Sequence, residues 1–278
     1  MKIAATTLSP NLGIEAKFSL FCGDFDTRVA KIAHAGFDGV ELLPLDPLHV
    51  DARVVCKTLD AHRLTVAAIA SGIQASVGGL TLVNDDPDIE HAALKRMFGL
   101  IDLAQACRAG VVTLGSFRGR LSGPADAGAE RLCRLLGRIC DYGMERGVTI
   151  ALEPVNRYED GYLNTASDVV RIIERVGRKN LGILLDTFHM NIEEADILEV
   201  ITRSSSHIAH VHIADSNRLS PGSGHFAFAP LLTRLQECGY TGWLSAELLA
   251  LPTADEAGAA TGSALKHLLK ATAGSPAP

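Results

Sequence analysis

Eight short apolar runs, each followed by a longer stretch of helical periodicity, recur along this 278-residue chain. The runs are Ile3 to Thr7, Gly39 to Leu43, Leu64 to Ala70, Val111 to Gly115, Val148 to Glu153, Leu181 to Asp186, Ile208 to Ile213 and Trp243 to Leu248. Helical patterns open near Asp24, Asp51, Gly123, Thr165, Asn191, Phe228 and Thr253, and most clearly at Asp86-Pro87-Asp88, where an N-cap precedes a proline at the first helical position. Each strand-helix unit takes about 34 residues, the size of a βαβ repeat without a long insertion. The expected fold class is therefore α/β, a (β/α)8 or TIM barrel over residues 1–272, with Ala273 to Pro278 as a frayed tail. An open doubly wound sheet is the alternative. It is disfavoured because no GxGxxG follows the first strand and no GxxxxGKS/T occurs anywhere.

Composition narrows the partners. At 47% hydrophobic and 21% charged the chain has enough apolar surface for a large core, and 26 basic against 32 acidic residues give net −6. That balance argues against a broad surface for nucleic acid or anionic membranes and in favour of a small-molecule partner. The start, MKIAATTLSP, reads as a strand and turn rather than a signal peptide, and no run is long and apolar enough to span a bilayer. Six cysteines at 22, 56, 107, 133, 140 and 238 show no CxxC spacing. They are expected to be reduced thiols of a cytoplasmic protein, with Cys133 and Cys140 sharing a core-facing helix side.

In such a barrel, chemistry sits where the strands end at their C-terminal side. Strands five to eight finish with Glu153, Asp186, His212 and Glu247. One such residue alone is ordinarily a salt-bridge partner, a helix cap or a hydrogen-bonded core group. Four on consecutive strands are a different matter, because three carboxylates and an imidazole aimed at one axis repel and desolvate one another unless a cation neutralises them. Oxygen ligands with a single nitrogen and no thiolate favour Mn²⁺, Mg²⁺ or Co²⁺ over a structural zinc. Four protein ligands leave room for a substrate carrying a carbonyl beside a hydroxyl, whose enediolate a Lewis acid would stabilise. His210 shares a strand face with His212 but lies deeper, which suits support of the site better than ligation. Glu159, His189 and Arg218 stand just beyond strand ends, and the SNRLSPGSGHF stretch around Arg218 is expected to form a tight loop over the mouth.

The segments LEPVNRYE (152–159), LLDTFHMNIEE (184–194), HVHIADSNRLSPGSGH (210–225) and SAELL (245–249) resemble the metal-dependent ketose 3-epimerases of the xylose-isomerase-like barrel superfamily, typified by D-tagatose and D-psicose 3-epimerases. GFDGVEL (36–42) and GSFRGRL (115–121) extend the likeness over nearly the whole chain, and GSFRGRL with ADSNR brings it nearest to a 5-keto-L-gluconate epimerase. The resemblance implies that Glu153 and Glu247 are metal ligands and also the acid/base pair, that Asp186 and His212 complete the metal shell, and that Glu159, His189 and Arg218 hold substrate oxygens. It further implies a homodimer or tetramer. Arg118 and Arg120, absent from the simple ketohexose enzymes, are expected to pair with a substrate carboxylate.

The expected activity is thus Mn²⁺-dependent inversion at C3 of a ketose or keto-sugar acid through a cis-enediolate. An aldose–ketose isomerase or a dehydratase could use the same intermediate. An endonuclease of the same superfamily would need more histidine ligands and a basic face.

Overall fold

The computed structural model describes residues 1–10, 17–120 and 125–273. Eight parallel strands close into a barrel in chain order. They are β1 (Lys2–Leu8), β2 (Gly39–Leu43), β3 (Thr65–Ala70), β4 (Val111–Leu114), β5 (Thr149–Leu152), β6 (Leu181–Asp186), β7 (Ile208–Ile213) and β8 (Trp243–Ala246), with β8 paired back to β1. Most strand residues are buried, which explains the near-continuous apolar runs in the sequence.

Around the barrel run α1 (Phe25–Ala35), α2 (Ala52–Ala61), α3 (Gly72–Ser76), α4 (Pro87–Ala106) and α5 (Ala125–Met144). The second half carries α6 (Ala166–Val176), α7 (Thr187–Glu193), α8 (Ile197–Ser204), α9 (Phe228–Glu237) and α10 (Ala254–Ala273). The read start signals act through their side chains. Asp24, Asp51 and Asp86 each accept a hydrogen bond from a first-turn N–H, and Thr165 with Asp168 forms a capping box. The start expected near Gly123 and the tail beyond Ala273 lie outside the described residues.

Two departures from the sequence reading shape the mouth. The helix expected near Asn191 is two helices: α7 starts earlier because Asp186 caps it, and extended backbone at Glu194 ends it before Asp196 caps α8. The extra five-residue α3 is too short to show a period. Its Ile73 packs with Leu8, Leu43 and Ala70, covering the C-terminal ends of β1 to β3 with an apolar wall. The six cysteines are free, with Cys140 buried and Cys133 half-buried against the core. Among the described residues no helix is long and apolar enough to cross a membrane.

One irregularity sets the side chains of β7. Ile183 pairs with Ile208 but Leu184 pairs with His210, so Ala209 is an extra residue bulging against β6. Gly182 makes room for it, since a Cβ there would lie 2.7 Å from both the Ala209 Cβ and the His207 carbonyl oxygen. Beyond the bulge, Asp186 stands opposite His212. Gly182→Ala should therefore push β7 outward and destabilise the barrel by about 1–3 kcal/mol, the usual cost of overpacking. A melting temperature equal to that of the wild type would contradict this close approach.

Candidate metal centre

Asp186 does two jobs because it ends β6 and begins α7. Its Oδ1 accepts the N–H groups of Phe188 at 2.7 Å and His189 at 3.2 Å, which turns Oδ2 toward the barrel axis. Glu153 and Glu247 lie one residue past β5 and β8, so both strands stop short of the glutamates that the sequence reading included in them. Backbone pairing nevertheless reaches Glu153, whose N–H donates to the Leu114 carbonyl at 3.0 Å. The Glu153 carboxylate lies over Gly115, where a Cβ would come within 2.2 Å of Oε2.

These three carboxylates meet His212. Its Nδ1 is 3.2 Å from Glu247 Oε2, 3.6 Å from Glu153 Oε1 and 3.8 Å from Asp186 Oδ2. One ligand atom from each of the four residues falls within 4.8 Å of the others. Glu153 Oε1, Asp186 Oδ2 and His212 Nδ1 are buried without a hydrogen-bond partner of good geometry among the described residues. Orphaned acceptors converging on one point are what a cation site leaves when only protein is counted. The residues present fit a divalent ion.

The electrostatics show the same deficit of positive charge. Burial pushes the Asp186 carboxyl up to about 6. It also raises Glu153, with Glu247 pressing in the same direction. Burial alone would lower His212, yet Glu41 and Glu247 hold it well above the usual imidazole range. Glu247 would likewise rise on burial, but His212 and Arg218 keep it below the ordinary carboxylate value.

Glu41, on β2, is the functional residue that the strand-end reading passed over. Fully buried, it holds His212 Nε2 at 3.1 and 3.2 Å and His210 Nε2 at 2.9 Å, while Thr113 Oγ1 donates to it at 3.4 Å. An Nε2–H that donates to Glu41 leaves the Nδ1 lone pair of His212 for the cation, the tautomer that ligation requires. His210, with Ser245 Oγ also at 2.9 Å, belongs to this supporting network and not to the converging set. A signal was present in GFDGVEL, where one carboxylate sits inside an otherwise apolar parallel strand.

Above the centre opens a cavity of about 360 Å³, with Phe18, Leu43, Ala70 and Ile73 on its apolar side. Glu159, His189 and Arg218 line the same cavity as Glu153, His212 and Glu247. The Asn156 main-chain N–H donates to His189 Nδ1 at 3.3 Å, so the ring carries its proton on Nε2, 3.8 Å from Glu153 Oε1. Burial holds that imidazole below its ordinary range and hence neutral. Arg218 lies between the rings of Phe18 and Phe188, 4.5 and 4.8 Å from their centres, with Nη1 2.7 Å from Glu159 Oε1 and Nη2 3.7 Å from Glu247 Oε2.

Arg118 corrects an expectation. Its side chain is 1% exposed and its guanidinium is committed to Asp160 at 3.2 Å and to the carbonyls of Glu153 at 3.1 Å and Tyr162 at 2.9 Å. It braces the segment after β5 from below and is not free for a substrate carboxylate. The neighbouring Arg120 is exposed, donating to the Glu159 carbonyl at 3.1 Å beside the cavity.

Comparison with known proteins agrees with this geometry. The sequence profile described as "Xylose isomerase-like TIM barrel" matches residues 29–271. A ketose 3-epimerase of Arthrobacter globiformis is 31% identical over 232 residues, 80% of this chain and 78% of the relative. An L-ribulose 3-epimerase of Mesorhizobium japonicum is 33% identical over 243 residues, 84% of this chain and 78% of the relative. The chain belongs to the ketose 3-epimerases of the xylose isomerase-like barrel family. A solved L-ribulose 3-epimerase structure shares the family fold with a TM-score of 0.82 at 25% identity, covering 97% of this chain and 95% of its own. Members of this family are enzymes of the isomerase class, and so is this chain.

Asp186→Ala should abolish stoichiometric metal binding and lose the rise in melting temperature expected of the wild type on adding a divalent cation, because an ion held only by the native state stabilises it by mass action. Glu41→Gln should keep the fold but weaken metal affinity by roughly 10- to 100-fold, the usual effect of removing a carboxylate behind a ligating histidine. Titration calorimetry and elemental analysis read both; full occupancy in Asp186→Ala would remove the metal centre.

Proposed function

We propose that this protein is a divalent-metal-dependent ketose 3-epimerase, with Mn²⁺ as the preferred ion, acting on a ketose or keto-sugar acid. The observation that carries the reading is the convergence of Glu153, Asp186, His212 and Glu247 on one set of orphaned acceptors inside a cavity sized for a monosaccharide. The activities named for its relatives support it.

Inversion at one carbon needs two bases, one for each face. Glu153 and Glu247 come from strands separated by two others round the barrel, which suits them to flank a substrate between them. One takes the C3 proton and the other returns a proton to the opposite face, passing through a cis-enediolate. Glu153, Asp186, His212 and Glu247 would hold a divalent cation, whose Lewis acidity would stabilise negative charge developing on the substrate. The neutral His189 presents its Nε2–H, and Arg218 with Glu159 presents a charged donor and acceptor, to orient the oxygens around C1 to C3. Of the two arginines named from the sequence, Arg118 and Arg120, a carboxylated substrate would meet the exposed Arg120 at the rim.

Turnover of L-ribulose, D-psicose and a keto-uronate by the Mn²⁺-loaded enzyme in D₂O should place deuterium at C3 of the epimer and leave C1 unlabelled. Label at C1 alone, or an aldose product, would replace the epimerase with an isomerase. Glu153→Gln and Glu247→Gln should each lower the rate about 10²-fold or more, the scale of general acid–base catalysis. For the acid substrate, Arg120→Ala should raise KM on the keto-uronate and not on the neutral ketose; equal effects would reject carboxylate recognition at the rim.

A further inference from the structure

The glycine-serine loop after β7 is built around an anion, and the anion is the protein's own. Asp215, 1% exposed, accepts the N–H groups of Ser216 at 2.7 Å and Phe226 at 3.0 Å on Oδ1 and that of Gly222 at 2.7 Å on Oδ2. Backbone N–H groups from three separate points of the loop converge on this buried carboxylate and form a nest-like concavity, comparable to those other proteins use to hold phosphate. Among the described residues no cationic side chain pairs with this carboxylate, and the N–H groups of the loop hold it below the ordinary range in spite of burial. Two glycines make the wrap possible. Gly222 has φ +94°, and a Cβ on Gly224 would strike Asp215 Oδ1 at 2.4 Å.

The same knot fixes the backbone of Arg218. The Asp215 carbonyl accepts the Arg218 N–H at 2.7 Å, the Leu219 carbonyl accepts the Asp215 N–H at 2.9 Å, and the Arg218 carbonyl accepts the Leu249 N–H at 2.8 Å. Arg218 is thereby held at φ 61°, a left-handed conformation uncommon for a residue with a side chain. From that backbone its guanidinium enters the slot between Phe18 and Phe188. Its Nε is buried there and lacks a hydrogen-bond partner among the described residues, which leaves a donor for a ligand.

The geometry points to Asp215 as a positioning residue for substrate binding: by filling the nest of residues 215–226 it locks Arg218 in the left-handed conformation that presents its guanidinium to the substrate. The inference rests on the reading of Arg218 as a substrate contact. Its effect is on binding of the sugar, because the Asp215 carboxylate is hydrogen-bonded to its own loop and to none of the four metal ligands, and the nest lies outside the converging set.

Asp215→Asn keeps the size of the side chain but replaces one acceptor oxygen by a donor facing Gly222. With the faster of L-ribulose and D-psicose as probe and saturating Mn²⁺, this variant should raise KM about tenfold or more, with kcat changed much less, as expected when a contact made before the chemical step is lost. Mn²⁺ affinity, read by calorimetry, should stay within about twofold of wild type, and Asp215→Asn should add less than about twofold to KM in an Arg218→Ala background, because residues acting through one group are not additive. Gly224→Ala, which drives a methyl group against Asp215 Oδ1 without altering charge, should reproduce the rise in KM, and it carries the test if Asp215→Asn does not fold. Wild-type KM in folded Asp215→Asn or Gly224→Ala, full additivity with Arg218→Ala, or a parallel loss of Mn²⁺ affinity would each overturn the proposal. If Arg218→Ala itself leaves KM unchanged, the role of Arg218 fails and the inference falls with it; if only the Asp215 and Gly224 variants are silent, the Arg218 reading survives alone.

Discussion

Three carboxylates, two of them buried and one partly so, within 4.8 Å of one another around a single imidazole are the constraint on which the rest of this structure depends. Coulomb repulsion and lost hydration both oppose such a cluster, and the protein alone balances it incompletely. The consequences appear in the titration of its members: burial raises Asp186 and Glu153, the carboxylates Glu41 and Glu247 raise His212 against its own burial, and His212 with Arg218 lowers Glu247. A divalent ion relieves all of these at once. The barrel tolerates the cluster because three of its four members are fixed by something that does not depend on the ion.

Those fixtures are local and chemically distinct. Asp186 is held by the first N–H groups of α7, Glu153 lies over the bare backbone of Gly115, and His212 is held from behind by Glu41. Glu41 is itself a buried charge, offset by two histidines and a threonine hydroxyl. The centre thus sits on a second polar layer inside the barrel, made of Glu41, Thr113, His210 and Ser245. Arg118 supports the same region from another side, pairing with Asp160 and binding the Glu153 carbonyl, so a residue that looked like a ligand-binding arginine is part of the frame.

The rim follows the same rule of one anchored group for each functional one. The charged pair Arg218–Glu159 is fed by the Asp215 nest on one side and by Asn156 on the other, since Asn156 Nδ2 donates to Glu159 Oε1 at 3.2 Å and the Asn156 N–H sets the tautomer of His189. The apolar side of the cavity, by contrast, comes from the ends of β1 to β3 and from α3. A ligand entering this space meets the metal-site and Arg218–Glu159 groups on one side and a largely apolar wall on the other.

Periodicity and strand-end chemistry determined a large part of this from the sequence. Alternating apolar runs and helical patterns can close only as parallel strands with outer helices, and carboxylates at the ends of successive strands must then face one mouth. Asp186, His212, Glu153 and Glu247 were legible for that reason, as were caps such as Asp86 and Thr165, whose partners lie within three residues. What only the tertiary structure decided are the pairings between residues far apart in the chain. Glu41 and His212 are 171 positions apart, so the sequence marks Glu41 as a carboxylate inside an apolar strand but not as the partner of that histidine. Arg118 was misread for the same reason: a guanidinium on a glycine-rich turn carries no mark of whether it faces solvent or is buried, and Asp160, 42 residues on, is what draws it inward. The bulge at Ala209 likewise depends on what packs against it, Gly182 across the sheet. Local sequence sets which conformations a segment favours; where a charge is buried, and beside what, is set by long-range packing, because desolvation depends on every neighbour at once.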